Sequence, residues 1–149
     1  MDPQPQHDLT KPLVILNVLD LQDRIAELGR DVVGANAKGL PLHTNGNLGV
    51  DLLRVEAGER FPIHVHPGDH LLYCVSGKGS ISIAGETFEV RPGDIYMIPG
   101  DIPHAVGATE DSFHVLAAIG SPHKPVDSPD RMTWTDWDGS PVKSAIYAD

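Results

Sequence analysis

Short apolar runs alternate with polar breaks containing Gly and Pro along most of the chain, a pattern that predicts many short strands joined by tight turns. Candidate strands cover 50–55, 61–66, 70–76 and 79–83, then 87–90, 94–98, 104–106 and 113–119. Their spacing of about 8 to 12 residues points to an all-β sandwich or barrel. One stretch has a helical period instead. Leu21, Ile25 and Leu28 share a face in a segment that starts near Asp20 and stops at Gly29, which gives one short, peripheral N-terminal helix. The passage 34–49 is polar and rich in Gly and Asn, and reads as a connection.

From Ser121 the composition shifts to Pro, Asp, Ser and Lys with two tryptophans, Trp134 and Trp137, whose simplest role is surface anchoring. The expected organisation is a flexible segment over 1–12, a barrel domain over 13–120, and a tail over 121–149 that packs on the barrel or on a partner subunit. A chain of 149 residues is one domain of ordinary size. It buries about 68 to 70% of its unfolded surface and needs neither disulfides nor metal to fold. Eleven Lys and Arg against 21 Asp and Glu give a net charge of −10, which repels phosphate backbones and anionic lipid. Nucleic-acid and membrane partners are therefore not expected, and a DNA-binding regulator would need a binding segment that is not visible. The single cysteine, Cys74, fits a reducing compartment. With no signal-like N-terminus and only a short, interrupted apolar stretch at 13–21, the expected location is the cytoplasm.

Candidate chemistry sits in the histidines. Three of the eight fall within seven residues, in Phe61-Pro62-Ile63-His64-Val65-His66-Pro67-Gly68-Asp69-His70. On a strand, His64 and His66 project to the same side, as a chelating pair does. Pro67-Gly68-Asp69 makes a turn, and His70 opens the next strand, where it can return beside them. A fourth, His104, follows Ile98-Pro99-Gly100-Asp101-Ile102-Pro103, a stiffened approach.

In these two segments the sequence resembles the cupin superfamily. The first cupin motif, G-x5-H-x-H-x3,4-E-x6-G, falls on Gly58, His64, His66, position 70 and Gly77; the second falls loosely on Gly93, Pro99, Gly100 and His104. Fifteen residues separate Gly77 from Gly93, a short spacing of the kind that superfamily uses, and the motifs cover about a third of the chain. The resemblance implies a double-stranded β-helix, or jelly-roll barrel, as a homodimer with a metal site in the barrel. Cupins include dioxygenases, decarboxylases, isomerases, lyases, cyclases and non-enzymatic binders, so the fold does not fix the reaction.

The motif's glutamate is replaced here by His70, so the expected ligand set is four neutral imidazoles: His64, His66, His70 and His104. Such a shell leaves a divalent ion near +2, which favours an anionic or enolisable small molecule. It suits one transition metal per chain, among Fe, Zn, Ni, Mn, Co and Cu, over Mg or Ca. Two open octahedral positions favour dioxygenase-type chemistry slightly over a non-redox lyase, isomerase, decarboxylase or cyclase. A sugar- or metabolite-binding module is the non-catalytic alternative. By alternation from His70, Leu72, Cys74 and Ser76 face inward, with Leu71, Tyr73 and Val75 opposite. Leu72, Cys74, Tyr96 and Met97 are the candidate pocket-lining residues. Arg54 reads as a surface salt-bridge former, and Asp69, Asp94 and Asp101 as turn caps. His114 reads as a satisfied or exposed histidine, and His7, His43 and His123 as solvent-exposed. No acid or base is identified.

Overall fold

The computed structural model describes residues 13–143, so the segment expected to be flexible over 1–12 lies outside the described residues. A helical segment comes first: α1 (Val18–Leu21), a 3-10 turn (Gln22–Arg24) and α2 (Ile25–Leu28). Asn17 caps it by accepting from the Leu19 and Asp20 amides at 2.8 and 3.3 Å, three residues earlier than the sequence pattern suggests. Gly29 ends it. Among the described residues eleven strands follow: β1 (Arg30–Asp31), β2 (Ala37–Thr44), β3 (Gly49–Val55), β4 (His64–Val65), β5 (His70–Gly77), β6 (Gly79–Ile83), β7 (Glu86–Val90), β8 (Ile95–Ile98), β9 (His104–Ala108), β10 (His114–Gly120) and β11 (Thr133–Trp134).

The strands form two antiparallel sheets, ordered β1-β2-β3-β10-β5-β8 and β11-β4-β9-β6-β7. Leu53, Val55, Leu72, Ile81, Ile98, Val106 and Leu116 fill the space between them. A second cluster, with Ile25, Leu40, Leu42, Leu52, Val75, Val115 and Ala117, covers the outer face of the six-stranded sheet beneath the helical segment. Ile25 is fully buried there, a contribution of about 1.5–3 kcal/mol. Because β10 lies at the centre of that sheet with apolar packing on both faces, it reads as a continuous apolar run rather than an alternating one.

Two differences from the sequence reading have clear causes. The 34–49 passage contains β2, an eight-residue strand whose Pro41 falls beside a register shift against β3. A second shift, between β10 and β5, brings Cys74 opposite Leu116 and Ser76 opposite Val115, so the alternation counted from His70 fails after Val75. Val75 joins the outer cluster as expected, whereas Ser76, expected inward, donates to Gln22 Oε1 at 2.6 Å on the helical segment. The described part of the tail packs on the barrel, one of the two placements expected for it. Val126 is buried in the main core, Trp134 packs against that core with its indole over Gly34, and β11 pairs with β4, while Trp137 stays exposed. None of the helices among the described residues is long and apolar enough to cross a membrane.

Candidate metal centre

β4 and β9 run antiparallel with His64 directly opposite His104, so two histidines forty residues apart in sequence become a cross-strand pair. His66 follows two residues after His64, and its backbone is pinned by the 2.8 Å bond from its amide to the Gly100 carbonyl. Gly100 has to be glycine. A Cβ there would stand 1.9 Å from the Gly68 carbonyl oxygen and 2.3 Å from that of His66. Asp69 closes the same corner by accepting from the Gly100 amide at 3.2 Å, a turn-capping role, as Asp94 has toward the Arg91 amide at 2.9 Å.

The three rings converge: one nitrogen from each of His64, His66 and His104 lies within 4.8 Å of the others. All three side chains are buried. Each ring's Nδ1 faces a backbone carbonyl, His64 on Pro62 at 2.6 Å, His66 on Gly68 at 2.9 Å and His104 on Ile102 at 2.7 Å. A neutral imidazole that donates from Nδ1 carries its lone pair on Nε2. Burial keeps the rings neutral: it pushes His64 well below the usual histidine range, lowers His66, and takes His104 down to about 4. The neutral rings therefore bring bare lone pairs together, and Nε2 of His66 stands 3.1 Å from Nε2 of His104. Two lone pairs at that distance repel unless a cation lies between them. Nitrogens bound about 2.0–2.1 Å from one ion at right-angled to tetrahedral openings stand roughly 2.9–3.4 Å apart, so the spacing fits a shared metal. The donor set thus fits a divalent transition ion.

His70 is placed differently. Its ring stacks on His66 with centroids 3.7 Å apart and planes 12° from parallel, and its Nε2 edge lies against Gly120, where a Cβ would approach within 2.9 Å. Its nitrogens do not join the group formed by the other three, whose ligand atoms lie within 4.8 Å of one another. Burial, with His66 and Arg131 adding to it, pushes His70 down to about 2, so it is neutral throughout the physiological range.

A cavity of about 410 Å³, counted with its open mouth, adjoins the rings and is bordered by Phe61, Leu72, Leu116, Arg131 and Met132. Of the expected lining residues, Leu72 is there. Cys74 is sealed in the core with its thiol raised to about 11 by burial, and is not a nucleophile. Tyr96 packs against the same core, its hydroxyl buried without a partner. Met97 is corrected outright: β8 is an edge strand, and Met97 is 60% exposed on its outer face.

Three residues that sequence reasoning did not place at the site stand beside the histidines. Asp51, 1% exposed on β3, accepts on Oδ2 from Arg131 Nη1 and pairs there with His123 Nε2, each at 3.0 Å. The expectation that His123 is solvent-exposed is thereby corrected, since it closes a second cavity with His66, His70 and Arg131. Asp51 shares the inward face with Leu53 and Val55, and a carboxylate on that face of an apolar strand was the available signal. Arg54 pairs with Glu56 at 2.7 Å and lies over the Phe113 ring, a surface role. His114 is fully buried, with Nδ1 on the Gly107 carbonyl at 3.1 Å, and His43 is half-buried on β2.

Residues 51–119 match the family model of the cupin domain. An L-ectoine synthase from Aliivibrio fischeri is 32% identical over 81 residues, which cover 52% of this chain and 63% of that protein. A protein named polyketide synthase CurC from Streptomyces cyaneus is 37% identical over 62 residues, covering 41% and 39%. The chain thus spans less than two thirds of the length of these curated relatives. Among solved structures, a cupin-like protein from Thermotoga maritima superposes with a TM-score of 0.55 at 29% identity, over 59% of this chain and 70% of that one. The polyketide cyclase RemF from Streptomyces resistomycificus reaches 0.61 over 80% and 89%, at an identity of 19% that speaks for the fold alone. With the matched segment, the two-sheet barrel and these neighbours in agreement, the chain has the cupin fold, and residues 51–119 are the part that matches the cupin-domain model.

Proposed function

We propose that this chain is a metal-dependent enzyme of the non-redox kind, a lyase or cyclase acting on a small organic anion in the barrel, with His64, His66 and His104 as the ligands. The observation that carries the reading is the convergence of three neutral imidazoles whose Nδ1 atoms are tied to carbonyls, which leaves Nε2 lone pairs for an ion. A divalent ion held there supplies Lewis-acid polarisation of a bound oxygen. The chain's own residues do the rest. The carbonyl bonds fix the rings, the apolar wall of Phe61, Leu72 and Leu116 keeps water away, and Arg131 adds positive charge that favours an anion. We assign His70 to the cavity wall rather than the ligand shell, because its ring stacks on His66.

The dioxygenase expectation drew on a four-histidine shell with two open positions, and a stacked His70 weakens that basis. The L-ectoine synthase name of the Aliivibrio relative supports the non-redox alternative. The test is turnover of a panel of small hydroxy-, amino- and keto-carboxylates, followed by NMR in metal-loaded and chelator-stripped protein with oxygen uptake recorded in parallel. Loss of water or ring closure that persists without oxygen and stops on chelation is the expected result. Oxygen consumed in step with product would move the assignment to a dioxygenase. Turnover by stripped protein would remove the metal from the account.

A further inference from the structure

Arg131 belongs to the tail, yet it is 7% exposed and borders both the histidine cavity and the one beside it. Its Nη1 donates to Asp51 Oδ2 at 3.0 Å and to the Lys124 carbonyl at 2.9 Å. A guanidinium has five N–H donors, and the remaining three, on Nε and Nη2, meet no acceptor among the described residues. The Asp51 side is equally incomplete. Both of its partners crowd onto Oδ2 while Oδ1 is buried without any. A pair kept for stability alone would take the two-bond fork that arginine and carboxylate form when free to do so. Here Asp51 neutralises and holds one corner of the guanidinium and leaves its other donors unused at the edge of a cavity. Nε and Nη2 are not among the fully buried atoms left without a partner, so they remain open to water or to a bound group.

We propose that Arg131 is the anchor for an oxyanion, of the carboxylate class, on the molecule bound at the histidine cluster. This rests on the reading above and narrows its substrate to one with a carboxylate apart from the group that meets the metal centre. A planar carboxylate matches the geometry of Nε and Nη2, whereas phosphate shares the charge chemistry and is the rival to be separated. The apolar remainder of the wall, Leu53, Phe61, Leu72 and Ile98 among it, then faces the carbon skeleton between the two polar ends.

The experiment is calorimetric titration of zinc-loaded and chelator-stripped protein with succinate, and separately with inorganic phosphate, using wild type, Arg131→Met and Arg131→Lys. Arg131→Lys retains the charge that Asp51 needs and so keeps the test alive if Arg131→Met does not fold. Succinate should bind the wild type, and both variants should lose at least tenfold in affinity in either metal state, because an ammonium cannot replace the fork. Equal binding by wild type and variants, no succinate binding to the wild type, or dependence on Arg131 for phosphate alone would each overturn the proposal. Failure of the metal-centre reading is read separately. Wild type that takes up no zinc yet binds succinate through Arg131 would sink that reading and keep this one.

Discussion

Acid should destabilise this fold through a histidine that has nothing to do with the metal centre. His114 is fully buried on β10, its ring against Gly79, its Nδ1 on the Gly107 carbonyl and its Nε2 without a partner. Burial takes it down to about 4, against about 6.5 in an unfolded chain. The folded pKa is the lower one, so between these values the unfolded state binds more protons, and stability falls as pH drops through 6.5 and levels off near 4. Linkage at about 1.4 kcal/mol per pH unit gives a loss of about 2 kcal/mol from His114 between pH 7 and pH 4.5. The assay is urea unfolding of metal-free protein at both pH values, in wild type and in His114→Gln, which keeps a donor for Gly107 and cannot take up a proton. The depressed histidines of the cluster add acid sensitivity to both proteins and cancel in the double difference. Wild type should lose about 2 kcal/mol more than the variant on acidification. An equal loss in the two proteins would refute the claim that this ring is buried and neutral.

Other expectations follow from the same coordinates. His104→Ala should lower zinc affinity by roughly a hundredfold or more while the far-ultraviolet spectrum stays that of the folded barrel, since the core is apolar; retained stoichiometric zinc by metal analysis would disprove the three-nitrogen set. His70→Ala should keep stoichiometric metal, and its loss would show that His70 leaves the stack to ligate. Gly100→Ala should cost about 1–3 kcal/mol in denaturant melts and weaken metal binding as well, because the new methyl displaces the His66–Gly68 corner; an unchanged midpoint would contradict that packing. Ile95 and Met97, opposite Tyr73 and Leu71 on the outer face of edge strand β8, make the exposed apolar surface we propose for the homodimer, so Met97→Glu should lower the mass seen in sedimentation equilibrium. A wild-type monomer would end that proposal.

The strands that the sequence displays are those whose burial is one-sided or complete over a short run. β6 is legible over its full length, 79–83, because a turn bounds it at each end and small and apolar residues alternate within it. β2 is hidden because its composition, Ala-Lys-Gly-Leu-Pro-Leu-His-Thr, mixes strand-averse residues with only two large apolar ones, and it is held by pairing with β3 along its length. Tertiary pairing overrides local propensity there. The bulge at Val75 is invisible for a related reason: nothing in Cys-Val-Ser-Gly marks the extra residue, and only the facing strand β10 reveals it.

The site divides along the same line. His64 and His66 are neighbours on one strand, so their convergence is a local property that spacing exposes, and the cupin motif supplies the reason to add His104. Asp51 and Arg131 lie 80 residues apart, one inside an apolar strand and the other in a proline-rich tail, and no short pattern links them. Each alone is a weak signal: a carboxylate within an apolar strand, an arginine after Ser-Pro-Asp. Together they put a net-neutral pair beside the histidine cavity while keeping three positively polarised donors unspent. That combination costs the fold less than a lone buried cation would, since the pair largely cancels its own charge, and it still offers an anion directional bonds in a poorly solvated place. On the reading proposed above, the histidine motif marks where the ion would sit, whereas the anion anchor is assembled only when the tail wraps onto β3. A variant family with the histidines intact and the 121–135 segment altered should keep the ion and change what binds beside it.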